Sequence, residues 1–206
     1  MNGFLEELRI QRWDDHRYYH HSRINQSLHF VSACAFVAAY AMLFTSPAMA
    51  AVIGWLVSMV ARQSGHFFFE PLCYDEVNQA SQEYKEAVKV GYNLKRKVVL
   101  MAAWVLSPFV LLADPTLGGI FWAATTPSQL VENVGFIWLF VGVVGLLFRT
   151  FHLFYLRNVQ TGLVWMTKIL TDPFNDIVLY HKAPLRLLRG ELIDPMHGMA
   201  HEEKAA

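Results

Sequence analysis

The chain has 206 residues, of which 54% are hydrophobic and 17% charged, with 15 Phe and 6 Trp among them. That is too apolar and too poor in charge for an ordinary soluble domain of this length, and it favours an all-α integral membrane protein. Lys+Arg and Asp+Glu both number 17, so the net charge is zero, and no basic patch carries interleaved aromatics, which argues against a nucleic-acid partner.

In chain order, Glu6, Glu7, Asp14 and Asp15 precede the first apolar run, so no cleavable signal peptide is expected and the first span is retained. Apolar stretches at 28–45, 48–61, 98–113 and 134–148 read as four transmembrane helices. Each falls a little short of the roughly 20 residues that cross a ~30 Å hydrocarbon layer, and aromatic flanks extend them. Thr45-Ser46-Pro47 suits a tight hairpin between the first two. Asp114-Pro115 and Gly118-Gly119 end the third.

The connection 62–97 carries an amphipathic helix in its second half, with Glu83, Lys85, Glu86 and Lys89 as a solvated face. After the fourth span, residues 151–170 read as a continuing or interfacial helix. Asp172-Pro173, Ala183-Pro184 and Asp194-Pro195 are expected to break the rest into short pieces, with Asp172, Asn175, Asp176 and His181 as caps and turns. His197 and His201 fall in a polar tail. Cys34 and Cys73 form no CxxC pair and read as small buried side chains.

The basic residues orient the chain. All 17 lie before the first span, between the second and third, or after the fourth. Positive charge accumulates on the cytoplasmic side, so segment 62–97, tail 149–206 and both termini are expected there, in a membrane of the bacterial inner type. One membrane domain then covers residues 1–206.

His16, His20, His21 and His29 gather at the cytoplasmic entrance of the first span, and His66 and Glu70 at the exit of the second. Residues four apart share a helix face, so His21, Asn25 and His29 form one stripe and His66 with Glu70 another. Two stripes on a hairpin converge. Imidazoles with a carboxylate and no paired cysteine suit a first-row metal such as iron or zinc, and a vacant position in such a shell admits oxygen or water. The bland alternative is a membrane scaffold or lipid-binding protein with interfacial histidines. Tyr18-Tyr19 and Phe67-Phe68-Phe69 are either interfacial aromatics or the wall of a greasy substrate channel.

RYYHHSRINQSLHF at 17–30, followed by SGHFFFEP at 64–71, resembles the membrane 2-hydroxy fatty acid dioxygenases of fungal fatty acid α-oxidation, over about residues 13–71. The family pattern falls on His20, Asn25, His29, Gly65, His66, Glu70 and Pro71. The resemblance implies an Fe2+-dependent enzyme that uses O2 to shorten a 2-hydroxy fatty acid by one carbon. His20, His29 and His66 are then iron ligands, with His21 the alternative to His20; Glu70 is a further ligand or a base, and Asn25 supports the ligands by hydrogen bonding. The acyl tail lies among the spans or in the adjoining leaflet. Since His20 and His29 are nine apart, they share a site only if the helix breaks near Ser22, a plausible N-cap. A weaker likeness, His16-x-x-x-His20-His21, imitates one histidine box of the di-iron lipid hydroxylases and desaturases, whose further boxes are missing.

Overall fold

The helices start where side chains can cap them. In a computed structural model, which describes residues 3–70 and 73–196, α1 (Phe4–Tyr19) is followed after a short break by α2 (Arg23–Met42), capped by Ser22 accepting from the Asn25 amide. Ser46-Pro47 turns the chain into α3 (Pro47–Ile53), which runs on through a π-helical stretch, Gly54–Met59, into α4 (Val60–Phe68). Then come α5 (Gln82–Val88) and α6 (Leu94–Leu106), capped by Ser81 and Asn93. A 3-10 turn at Ser107–Phe109 leads to α7 (Val110–Ala113). The long α8 (Pro127–Leu156) starts with a Thr126/Gln129 capping box. Asn158 caps α9 (Val159–Tyr180), and α10 (Ala183–Leu188) follows. The fold is all helical, with two isolated β-bridges among the described residues.

α2 is the central element, packed against α9, α4, α3, the π stretch and α10, while α8 lies on α3 and α9. The α3–α8 contact depends on Gly135, where a Cβ would come within 2.4 Å of the Ala48 carbonyl oxygen. Such close backbone approach is typical of helices packed by small residues. Trp55 stacks on Trp104 at 5.3 Å and donates its indole N–H to the Trp138 carbonyl, tying the π stretch to α6 and α8.

Two of the four expected spans are matched: Lys95–Ala113 and Pro127–Leu156 are helices long and apolar enough to cross a membrane. Their outward faces are apolar, with Val99, Leu112, Phe140 and Phe148 exposed. The stretches 28–45 and 48–61 lie on helices that fall short of that composition. The reason is visible in the interior, where α2 buries Asn25, Gln26, His29 and Ser32 and the 47–68 helix buries Ser58, Gln63 and His66.

Other expectations are corrected. The amphipathic segment is helical only over Gln82–Val88, and Lys85 is fully buried, donating to the Cys73 carbonyl, because it closes the loop rather than facing solvent. Pro173 does not end a helix: α9 runs through it, with the proline buried. Asp172 and Asp176 are not caps but buried ion-pair partners. Cys34 and Cys73 are exposed free thiols, Cys34 on the outward face of α2 and Cys73 in the loop after α4. Pro71, His197 and His201 lie outside the described residues.

Candidate metal centre

The site is made by the break between α1 and α2. A helix end leaves carbonyls without partners, and here Asn25 Nδ2 donates to the Tyr19 carbonyl at 2.7 Å while Gln26 Nε2 donates to that of His20 at 2.8 Å. The C-terminal strand-like segment clamps the break from outside. Arg23 and Asp194 amides donate to the Leu192 and His21 carbonyls, and Asp194 Oδ2 accepts from Arg23 and Gln26 side chains. With the chain so turned, His20 folds back onto His29 despite the nine-residue separation.

His20 Nε2 and His29 Nε2 stand 3.1 Å apart, and their rings are 4.1 Å apart between centroids. His66, in the last turn of α4, completes the group, its ring 5.2 Å from His20 and 4.9 Å from His29. One ring nitrogen of each lies within 4.8 Å of the others. The three side-bearing residues are 1%, 0% and 6% exposed, which separates them from interfacial histidines reaching for headgroups.

His66 Nδ1 bonds Glu70 Oε2 at 2.7 Å, and Glu70 Oε1 accepts from Lys89 Nζ at 3.0 Å. Both carboxylate oxygens are therefore engaged, so Glu70 stands behind the three imidazoles and fixes one of them. A carboxylate on the far nitrogen of a ligating histidine sets its tautomer and raises its basicity. Asn25 bonds backbone beside His20 rather than an imidazole, and its Oδ1 lies against Gly65, where a Cβ would come within 2.1 Å. The glycine before His66 thus lets α4 seat against α2. His21 points away, to Asp75 at 3.1 Å and Asn78 at 3.3 Å, so His20 rather than His21 joins the group. His16 is taken by the Tyr180 hydroxyl at 3.1 Å.

Several participants were not singled out as site residues from the sequence. Tyr180 packs its ring 5.9 Å from His20 and 6.2 Å from His29. Asp176 Oδ2 lies 3.7 Å from His29 Nδ1 and 3.1 Å from Arg62 Nη2. Arg12 and Lys168 pair with Asp172, and Lys168 also with Asp15, giving three cations and three carboxylates in one buried network. The Lys168-x-x-x-Asp172-x-x-x-Asp176 spacing was a signal for one charged helix face. For Tyr180 no local signal existed.

Electrostatics favour neutral ligands. Burial first, with His29 beside it, holds His20 well below the ordinary imidazole range. Burial and then the Lys97 charge do the same for His66. Burial, reinforced by Asp176, pushes the Tyr180 hydroxyl well above the usual phenol range, so it stays protonated. Burial opposes the Lys168 ammonium, but Asp15 and Asp172 hold it above the usual lysine range.

The residues fit a metal. Two imidazole nitrogens at 3.1 Å either share a proton or jointly hold an ion, and nitrogen ligands about 2.1 Å from one metal at near right angles stand about 3 Å apart. Nδ1 of both His20 and His29 has no hydrogen-bond partner among the described residues. A cavity of about 370 Å³ is lined by His66, Tyr19, Arg62 and Lys97 together with apolar walls including Phe36, Leu43, Ala50, Leu139 and Val143. A three-imidazole group beside such a cavity can bind a small oxygen-donor ligand at the ion and a hydrophobic tail along the walls. Comparison with protein-family models, with curated proteins and with solved structures finds no match.

Proposed function

We propose that the chain is an iron-dependent membrane oxygenase that uses O2 to shorten 2-hydroxy fatty acids by one carbon, as its resemblance to the 2-hydroxy fatty acid dioxygenases implies. The observation that carries this reading is the meeting of three buried imidazoles, His20, His29 and His66, beside a largely apolar cavity. His20, His29 and His66 would hold Fe2+, which when bound supplies oxygen activation and a seat for the hydroxy-acid head.

The chain's own groups do the rest. Burial keeps His20 and His66 unprotonated, with lone pairs free for a ligand. Glu70, held by Lys89, keeps the proton of His66 on Nδ1 and so leaves the lone pair on Nε2. The cavity walls exclude water and take the acyl tail. In the membrane arrangement we propose, the stretches 28–45 and 48–61 cross beside the two strongly apolar helices, giving four crossings in a bacterial-type inner membrane with both termini cytoplasmic. The one-sided distribution of all 17 basic residues supports it.

A scaffold with interfacial histidines is the rival, and the burial of the three rings weighs against it. A di-iron hydroxylase needs a second histidine group, and none besides His20, His29 and His66 occurs among the described residues. The donor set accepts zinc as well as iron, so metal analysis is the test. Detergent-purified, anaerobically prepared protein is expected to carry about one iron per chain, lost in His66→Ala, and to consume O2 with 2-hydroxypalmitate. Absence of metal from both proteins after Fe(II) loading would overturn the proposal.

A further inference from the structure

Four cations line the cavity: Arg62, Lys89, Lys97 and Lys168. Three are already matched by carboxylates. Arg62 lies 3.1 Å from Asp176, Lys89 lies 3.0 Å from Glu70, and Lys168 pairs with Asp15 and Asp172. Lys97 alone of the four has neither a carboxylate in ion-pair range nor a hydrogen-bond acceptor for its ammonium among the described residues.

Its position makes that absence informative. Lys97 is in the first turns of α6, next to Lys95 and Arg96; those two are exposed, whereas Lys97 is half-buried and turned to the cavity. Cations at a helix N-terminus oppose the helix dipole, which favours an anion there. A partly desolvated ammonium facing an apolar space is also costly without a counter-charge. The cavity, at about 370 Å³, is near the lower end of small-molecule sites, roughly 300–1,000 Å³, so it suits one acyl tail rather than two.

We propose that Lys97 is the anchor for the carboxylate of a single-chain fatty acid, setting the acid end beside His66 while the tail follows the walls at Phe36, Leu43 and Leu139. This deepens the oxygenase reading, on which it rests for the substrate, by naming the residue that decides which end of the substrate meets the histidines.

The test measures binding of 2-hydroxypalmitate and of hexadecanol by equilibrium dialysis to the full-length detergent-purified chain. Wild type, Lys97→Met and Lys97→Arg are compared, with iron content determined on the same samples. Lys97→Met is expected to weaken the acid about thirtyfold, the loss typical of removing one partner of a desolvated charge pair. It should leave hexadecanol within about twofold, while Lys97→Arg retains most of the acid affinity. Acid binding in Lys97→Met within twofold of wild type would overturn the proposal, and would be the result if lipid phosphate were the true counter-ion of Lys97. Equal losses of acid and alcohol would also overturn it, as a general disturbance of the cavity. Selective loss of the acid in samples that hold no iron would uphold the anchor and overturn the oxygenase.

Discussion

Glu70 shows how one residue's role depends on a few ångströms. Sequence spacing placed it four residues after His66, and the family resemblance implied a ligand or a base; in the fold it sits past the end of α4, with one oxygen on His66 Nδ1 and the other on Lys89. Glu70→Gln should therefore leave the three-histidine group in place but weaken iron binding about 10- to 100-fold, the usual effect of losing such a support. Competition with a chelator would measure it, and unchanged affinity would remove Glu70 from the site. The pairing of His66 with Glu70 was legible because i and i+4 side chains meet. The choice between His20 and His21 was not, because adjacent residues at a helix break are separated only by where the chain turns. That turn is set by distant partners, Asp75 for His21 and Asp194 for the strand-like clamp.

At the scale of elements, the break between α1 and α2 matters most. Its N-cap, Ser22, was visible in the sequence, and the requirement that His20 and His29 meet demanded a break there. What holds it open was not visible: two consecutive amides, Asn25 and Gln26, reach back to the last two carbonyls before the turn. Asn25→Ala removes one of these buried bonds and should cost about 1–3 kcal/mol. That would lower the thermal midpoint by about 2–4 °C per kcal/mol in a chain of this size, and loosen iron retention because His20 is no longer held. Calorimetry and metal analysis on the same sample would check both, and a full midpoint with full iron would show that Gln26 suffices. The misread elements share one cause. Pro173 within α9 and Lys85 inside the 73–89 region are tolerated because tertiary partners outweigh local preference.

For the whole molecule, the buried histidines tie stability to pH. His20 and His66 lie well below the usual value when folded and return to about 6.5 when unfolded. Below that pH the unfolded chain binds more protons than the folded one, so stability falls with acidification by up to about 1.4 kcal/mol per pH unit for each group. Above it both states are neutral there, and the contribution is constant. Thermal melts of the metal-free protein between pH 5 and 8 should therefore fall below about pH 6.5, with a smaller slope in His66→Ala. A midpoint that rises on acidification would contradict the buried, neutral state of these rings. Composition and apolar patterning revealed the all-helical class and the two helices long and apolar enough to cross a membrane. They overcounted strongly apolar helices because α2 and the 47–68 helix spend their inward faces on histidine, asparagine, glutamine and serine.

The π-helical stretch Gly54–Met59 has a consequence for how this site can vary. Such a stretch holds one residue more than an α-helix closing the same length, and everything after it is rotated by about 100° relative to a regular continuation. Arg62, Gln63 and His66 all follow it. A relative with one residue fewer between 54 and 59 would close the same length as a regular α-helix and keep its histidine on the same face, whereas one of equal length without the wide turn would possess every residue of the histidine motif and aim its His66 elsewhere. In this fold the winding of an apolar stretch with no chemistry of its own decides whether the chemistry assembles, and motif spacing measured within either half of the chain cannot report it.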